Sequence, residues 1–198
     1  MTEKQVAVYF DNEDKKSGCE SVAFTTILSF GANAAGPHHE PDDTVLEKGE
    51  WGLIDMGCCK NRYCSDMTRT FFCGEPKPEY AAIHDLVRQA NEAAEAMIHP
   101  GVRLCDIDAA ARDLITKAGY GEYFNLRLGH FIGQTDHDKG DVSAANTDTV
   151  KPGMFFSIEP GVYLPGKFGV RVEELVIVTE TGCEVLNHND KHWDVVGK

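Results

Sequence analysis

The chain has 198 residues, 42% hydrophobic and 26% charged, enough for one well-buried domain and too apolar for a disordered tail. Its 32 acidic against 19 basic side chains leave a formal net charge of −13, which repels nucleic-acid phosphates and presents no polybasic face to a membrane. The N-terminus has no basic stretch followed by an apolar one, and no apolar run is long enough to span a bilayer, so the expectation is a soluble, cytoplasmic protein with no nucleic acid and no membrane among its partners.

Residues 2–16 place Val6, Tyr9 and Phe10 at helical spacing and stop at Gly18, which predicts a short amphipathic helix. Residues 21–30 are rich in β-branched and aromatic side chains and predict a strand, followed by a Gly- and Pro-rich loop that carries His38 and His39. Two more strand-like runs, 51–57 and 63–72, flank a two-residue turn placed at Lys60-Asn61. A helix is expected from Glu79 to about Ile98, where Ile83, Leu86, Val87, Ala90, Ala94 and Met97 form one face and His99-Pro100-Gly101 stops it. A second helix begins near Asp106, read as its N-cap, and ends at Gly119. Beyond residue 124 the pattern returns to strands, around 126–136, 154–159 and 168–179, with a closing turn at 180–182. Strands, then helices, then strands make the fold class α+β. The seven cysteines, odd in number and including an adjacent pair, are expected to be reduced. Cys58, Cys59 and Cys64 lack a second Cys-x-x-Cys or a His pair that would complete a zinc site, so packing is their expected role.

A short repeat crosses this layout. Gly49-Glu-Trp-Gly-Leu-Ile54-Asp55-Met-Gly57 and Gly153-Met-Phe-Phe-Ser-Ile158-Glu159-Pro-Gly161 share one template, 104 residues apart. In the first copy, the expected hairpin sets Asp55 opposite Asp66. In the second, a three-residue loop at Pro165-Gly166-Lys167 sets Glu159 opposite Glu173. Like charges directly opposed on a sheet are destabilising. Each acid also sits among apolar neighbours (GLIDMG, FFSIEPGVY, VRVEELVIV), where an unpaired charge is costly. A single acid in so acidic a chain reads as solvated; the set of four reads as a cation site, its charge of −4 matching two divalent ions. His130, flanked by glycines in Leu128-Gly-His130-Phe-Ile-Gly133, is a fifth candidate ligand, though a lone histidine is more often a core residue. Four carboxylates and one imidazole suit manganese, iron(II), cobalt or zinc. Arg171, two residues before Glu173, either orients one of the carboxylates or is a surface or structural arginine.

The strings IDMG, SDMTRT, LGHFIG, SIEPGVY and GVRVEE resemble the pita-bread metallopeptidases, namely methionine aminopeptidase, aminopeptidase P and prolidase, and are most similar to the Xaa-Pro-cleaving branch over roughly residues 5–187. The resemblance implies a curved antiparallel sheet flanked by helices with an internal pseudo-two-fold repeat. It also implies a single catalytic domain over residues 1–198, without the family's separate N-terminal domain and first catalytic helix. Asp55, Asp66, His130, Glu159 and Glu173 fall on the family's metal-ligand positions for two divalent ions, manganese favoured over cobalt, iron or zinc. By the same resemblance Asp66 and Glu173 bridge the ions, Asp55 binds one, and His130 and Glu159 bind the other around a bridging hydroxide. Glu159 doubles as general base, and His38 (in AAGPHH) and His137 hydrogen-bond the substrate or its tetrahedral intermediate.

The chain departs from the family at two points. Leu126 stands where the Xaa-Pro branch usually has a histidine, and Asp138-Lys139-Gly140-Asp141 stands where prolidases often place an arginine, which argues against strict dipeptidase specificity. The implied function is metal-dependent hydrolysis of Xaa-Pro bonds in short proline-containing peptides, as an aminopeptidase or dipeptidase. The alternative is an impaired or non-catalytic pita-bread protein that binds peptides or partners. A hydrolase of small C–N compounds such as creatine fits less well, because those relatives lack the metal set. The family resemblance also makes a homodimer plausible, although no motif in this chain supports one.

Overall fold

Residues 1–197 are described by a computed structural model. α1 (Glu3–Lys16) starts from Thr2, whose hydroxyl accepts from the Gln5 N–H while the Gln5 side chain accepts from the Thr2 N–H, a reciprocal cap on the first turn. The strand expected over 21–30 is split into β1 (Ser21–Val22) and β2 (Ile27–Phe30), because the chain changes sheet between them. Then come β3 (Trp51–Met56), β4 (Cys58–Lys60), β5 (Tyr63–Cys64) and β6 (Met67–Cys73). The helices α2 (Pro78–Met97) and α3 (Leu104–Lys117) follow. The second half holds β7 (Gly129–His130), β8 (Asp141–Val142), β9 (Phe155–Ile158), β10 (Gly161–Leu164), β11 (Phe168–Arg171), β12 (Glu174–Val178), β13 (Cys183–Val185) and β14 (Asp194–Val196).

The sequence repeat becomes two long hairpins, each broken in the middle. In the first, β3 pairs with β6 and the ladder resumes as β4 with β5. In the second, β9 pairs with β12 and resumes as β10 with β11. The breaks fall at Asp66 in the first hairpin and at Glu159 and Glu173 in the second. Gly57 sits at the first break, where an added Cβ would lie 2.0 Å from the Ser65 carbonyl oxygen, so only glycine lets the strands pass there. The two hairpins meet where the Glu173 N–H donates to the Thr68 carbonyl at 3.2 Å. One four-stranded sheet runs β14-β6-β3-β2 and a three-stranded one β13-β12-β9.

The second hairpin has the expected register: Leu164 faces Phe168 around the three-residue loop, and the ladder continues to Ile158 opposite Glu174, leaving Glu159 level with Glu173. The first differs. Its turn is Asn61-Arg62, both at positive φ (51° and 71°), one residue later than expected. Asn is suited to the first left-handed position of such a turn, and the slip of one moves the pairing by two. Asp55 therefore faces Thr68, and Asp66 lies level with Gly57. A shift of two keeps both acids on the same face of the sheet, where a shift of one would have separated them.

α2 and α3 cover the other face. Ile83, Val87, Ala90 and Ala94 of α2 and Leu104, Ile107, Ala111 and Ile115 of α3 join Phe72, Phe156, Ile158, Phe168 and Val172 in one core. Because side chains alternate along a strand, burying Ile158 and Val172 under α2 sends Glu159 and Glu173 to the opposite side. α3 begins two residues before the expected Asp106 cap. Asp106 lies in its first turn and pairs with Arg103 at 2.7 Å, a favourable place for an acid at the positive end of the helix. Of the strand expected over 126–136 only β7 forms, the remainder being loop. The expectation that every cysteine is reduced is corrected for one pair: Cys19 and Cys58 form a disulfide across 39 residues, joining the segment after α1 to β4. Fold proximity, invisible in the cysteine spacing, brings them together.

Candidate metal centre

The three breaks in the hairpins converge on one cavity of about 620 Å³, lined by His38, Asp55, Asp66, His130, His137, Glu159, Arg171 and Glu173 among others. Asp55, Asp66, His130 and Glu173 are buried, and Glu159 is partly so. Asp66, His130 and Glu173 come close enough for one donor atom from each to lie within 4.8 Å of the others. His130 Nε2 is 3.3 Å from Asp66 Oδ2 and 3.5 Å from Glu159 Oε1. Asp55 stands slightly apart, held through Oδ2 by Arg171 Nη2 at 2.5 Å.

Backbone geometry presents the imidazole. An added Cβ at Gly129 would lie 1.9 Å from the Ser157 carbonyl oxygen, so glycine is needed for β7 to approach β9 and bring His130 beside Glu159. The His130 N–H donates to Ser157 Oγ at 3.0 Å, and that hydroxyl donates to Glu159 Oε1 at 3.1 Å. His130 Nδ1 lies 3.1 Å from the Phe131 carbonyl oxygen. A carbonyl only accepts, so Nδ1 carries the proton and Nε2 faces the carboxylates with a free lone pair, the arrangement of a metal-binding histidine.

The electrostatics leave this cluster short of positive charge. Burial, reinforced by Glu173 and Asp55, pushes the Asp66 carboxyl well above its usual range. Burial together with Glu159 and Asp55 does the same to Glu173. Glu159 is pushed up to about 7, chiefly by burial. Burial and the neighbouring His137 pull His130 down to about 4, keeping it neutral at pH 7 as ligation requires. Asp55 Oδ1, Asp66 Oδ1 and Glu173 Oε1 are buried with no hydrogen-bond partner. Orphaned carboxylate oxygens cost free energy unless a cation meets them, so the donor set fits divalent metal ions.

The second histidine candidate, His137, is exposed but stacks on His130 with ring centroids 3.9 Å apart. His38 also lines the cavity, and burial pulls its ring below the usual histidine value. Its neighbour His39 also borders the cavity and pairs with Glu3 at 2.8 Å. Glu3, absent from the sequence reading, is fully buried and also accepts from the Phe30 N–H (2.6 Å), Asn33 (3.0 Å) and the Asp42 N–H (2.9 Å), tying both ends of the His38 loop to α1. A Glu in the first turn of a helix carries no sequence signal that separates it from ordinary capping. Arg171 proves to be buried rather than on the surface. Besides Asp55 it donates to Thr68 Oγ1 (2.9 Å), Tyr163 Oη (2.8 Å) and the Pro37 carbonyl (3.3 Å), and Thr68 donates to Glu173 Oε2 at 2.5 Å. Sequence reasoning also passed over Arg127, an exposed cation lining the cavity with no ion pair among the described residues. Its segment is anchored by Arg112, which pairs with Asp108 and donates to the Phe124 and Leu126 carbonyls at 2.7 and 2.9 Å.

Residues 1–180 match metallopeptidase family M24. The chain is 46% identical over 191 residues to an uncharacterized peptidase of Staphylococcus haemolyticus, covering 96% of this chain and 54% of that protein. Among solved structures it superimposes on an X-Pro aminopeptidase from Thermotoga maritima with a TM-score of 0.97 at 40% identity, covering 99% of this chain and 56% of the other. It matches a prolidase from Thermococcus sibiricus equally well (TM-score 0.97, 37% identity, 98% and 53% coverage). The chain thus spans about half the length of the relatives it matches, and the broken hairpins with their covering helices are the pita-bread fold.

Proposed function

The chain belongs to metallopeptidase family M24, and from that premise we propose that it hydrolyses the peptide bond of short Xaa-Pro peptides with two divalent ions, manganese favoured, held by Asp55, Asp66, His130, Glu159 and Glu173. The observation that carries this reading is the cluster of Asp66, Glu173 and a neutral His130 with its bare Nε2, in a cavity where Asp55, Asp66 and Glu173 each keep one buried, unpartnered carboxylate oxygen. Bound ions supply a polarised scissile carbonyl and water acidified from 15.7 toward roughly 7. Glu159, near 7, accepts a proton and returns it to the departing nitrogen. His38 and His137, both lining the cavity, donate hydrogen bonds to the developing oxyanion or the substrate amide. Arg171 holds Asp55 so that Oδ1 is left for an ion.

Purified protein stripped of metal is expected to be inactive, and manganese, cobalt or zinc to restore turnover of Xaa-Pro peptides but not of creatine, with two ions bound per chain. Two ions without turnover would favour the peptide-binding alternative, for which Leu126 is the motivating feature; no bound ion would overturn the site. Arg127 offers a counter-charge for the carboxyl terminus of a dipeptide. Arg127→Ala is expected to raise KM for Xaa-Pro dipeptides about 5- to 10-fold with kcat little changed, and to leave longer, C-terminally amidated peptides unaffected. An equal effect on both peptide classes would remove this role.

A further inference from the structure

Behind the sheet, on the side away from the cavity, Asn91 of α2 is fully buried and points at the two breaks of the second hairpin. Its amide Nδ2 donates to the Ile158 carbonyl at 2.8 Å and to the Val172 carbonyl at 3.4 Å. These are the residues immediately before Glu159 and Glu173. Its Oδ1 accepts from Lys191 Nζ at 2.8 Å, and the same ammonium pairs with Glu95 at 2.6 Å. The regular ladder is interrupted at this point, where Glu159, Pro160, Val172 and Glu173 lie between the paired segments. Across the gap the Val172 N–H reaches the Pro160 carbonyl at only 3.4 Å, and the Glu159 and Glu173 N–H groups donate outside the hairpin to the Leu128 (2.7 Å) and Thr68 (3.2 Å) carbonyls, so the Asn91 amide is the side-chain tie between the two strands at this point.

We propose that Asn91, oriented by Lys191, is a positioning residue that sets the separation of Glu159 and Glu173 and thereby the affinity of the site for its ions. Resting on the metal-site reading above, this assigns a function to polar groups that the chemistry itself never touches. An asparagine is needed because the position must donate to two carbonyls and accept from an ammonium, and only an amide has both capacities. Lys191 fixes which end is which: with the ammonium on Oδ1, the NH2 must face the carbonyls. Partners one shell beyond metal ligands typically change metal affinity by about 10- to 100-fold when lost.

The test uses Asn91→Asp, which keeps the shape and the Lys191 contact but turns both donors into acceptors facing carbonyl oxygens. Titrating metal-free protein with manganese, by calorimetry and by activity against metal concentration, is expected to show a midpoint at least about tenfold higher for the variant, with KM for the peptide unchanged once metal is saturating. Lys191→Met, which leaves the amide in place but frees it to turn, is expected to shift the midpoint in the same direction by a smaller factor, and it keeps the test open if Asn91→Asp does not fold. A wild-type protein that binds two ions while these variants bind with unchanged midpoints overturns the positioning role alone. A wild-type protein that binds none overturns the site reading and this inference with it.

Discussion

Asp66→Asn is expected to lower metal-supported turnover more than about 100-fold, since even partners outside the ligand shell typically cost 10- to 100-fold, while raising the melting temperature of the metal-free protein at pH 8. The two effects have one cause. Asp66 lies beside Glu173, Asp55 and Glu159 in a buried site, and burial with these neighbours holds its proton on to well above 3.8. Between 3.8 and that raised value the folded state binds more protons than the unfolded one, so the stability contributed by this group falls as pH rises. Asparagine does not ionise and escapes the penalty. The variant should therefore match the wild type near pH 4 and exceed it increasingly toward pH 8, read by thermal denaturation in chelator. Manganese should reverse the order at pH 8, because an ion that binds only the folded wild-type site stabilises it by mass action. A variant that keeps full metal-dependent activity, or melts lower than wild type at pH 8 in chelator, would contradict this account.

Arg171→Met is expected to destabilise the protein by about 3–5 kcal/mol, the usual consequence of stripping one partner from a buried ion pair, and to lower the melting temperature by roughly 6–20 °C for a domain of this size. Burial alone would pull the guanidinium down, yet Tyr163, Asp55, Glu159 and Glu173 outweigh it and hold its pKa well above the usual value. Losing the cation leaves Asp55 Oδ2, Thr68 and Tyr163 without their donor and removes the only buried arginine among the described site residues. Arg171→Lys should recover little, because an ammonium cannot reach Asp55, Thr68, Tyr163 and the Pro37 carbonyl from one planar fork. Urea unfolding of both variants checks this. A loss under 1 kcal/mol for Arg171→Met would show that the surrounding carboxylates simply keep their protons instead.

The candidate metal site was legible in the chain because it depends on residue type and local pattern. Four acids embedded in apolar strings and a histidine between glycines are anomalies at the level of single segments, and the template shared by residues 49–57 and 153–161 announced two matching hairpins. The helices were equally readable: α2 carries its apolar residues at a spacing that only a helix can bury on one side. The second hairpin could be registered because Pro165-Gly166-Lys167 marks its loop, whereas the first slipped by one residue because Lys60, Asn61 and Arg62 each tolerate a turn and only the folded ladder chooses Asn61-Arg62.

What the sequence by itself determined is therefore the candidate ligand set and the class of element carrying each ligand. Only the tertiary structure decided the partners. Arg171 reaches Pro37 across 134 residues, Asn91 reaches Ile158 across 67, and Glu3 gathers donors 27 to 39 residues away. The disulfide joining Cys19 to Cys58 belongs to the same group. Side-chain periodicity reports which face of an element is buried, but not what stands opposite. A buried amide or guanidinium has no local signature until chain folding brings its carbonyls and carboxylates within hydrogen-bond distance.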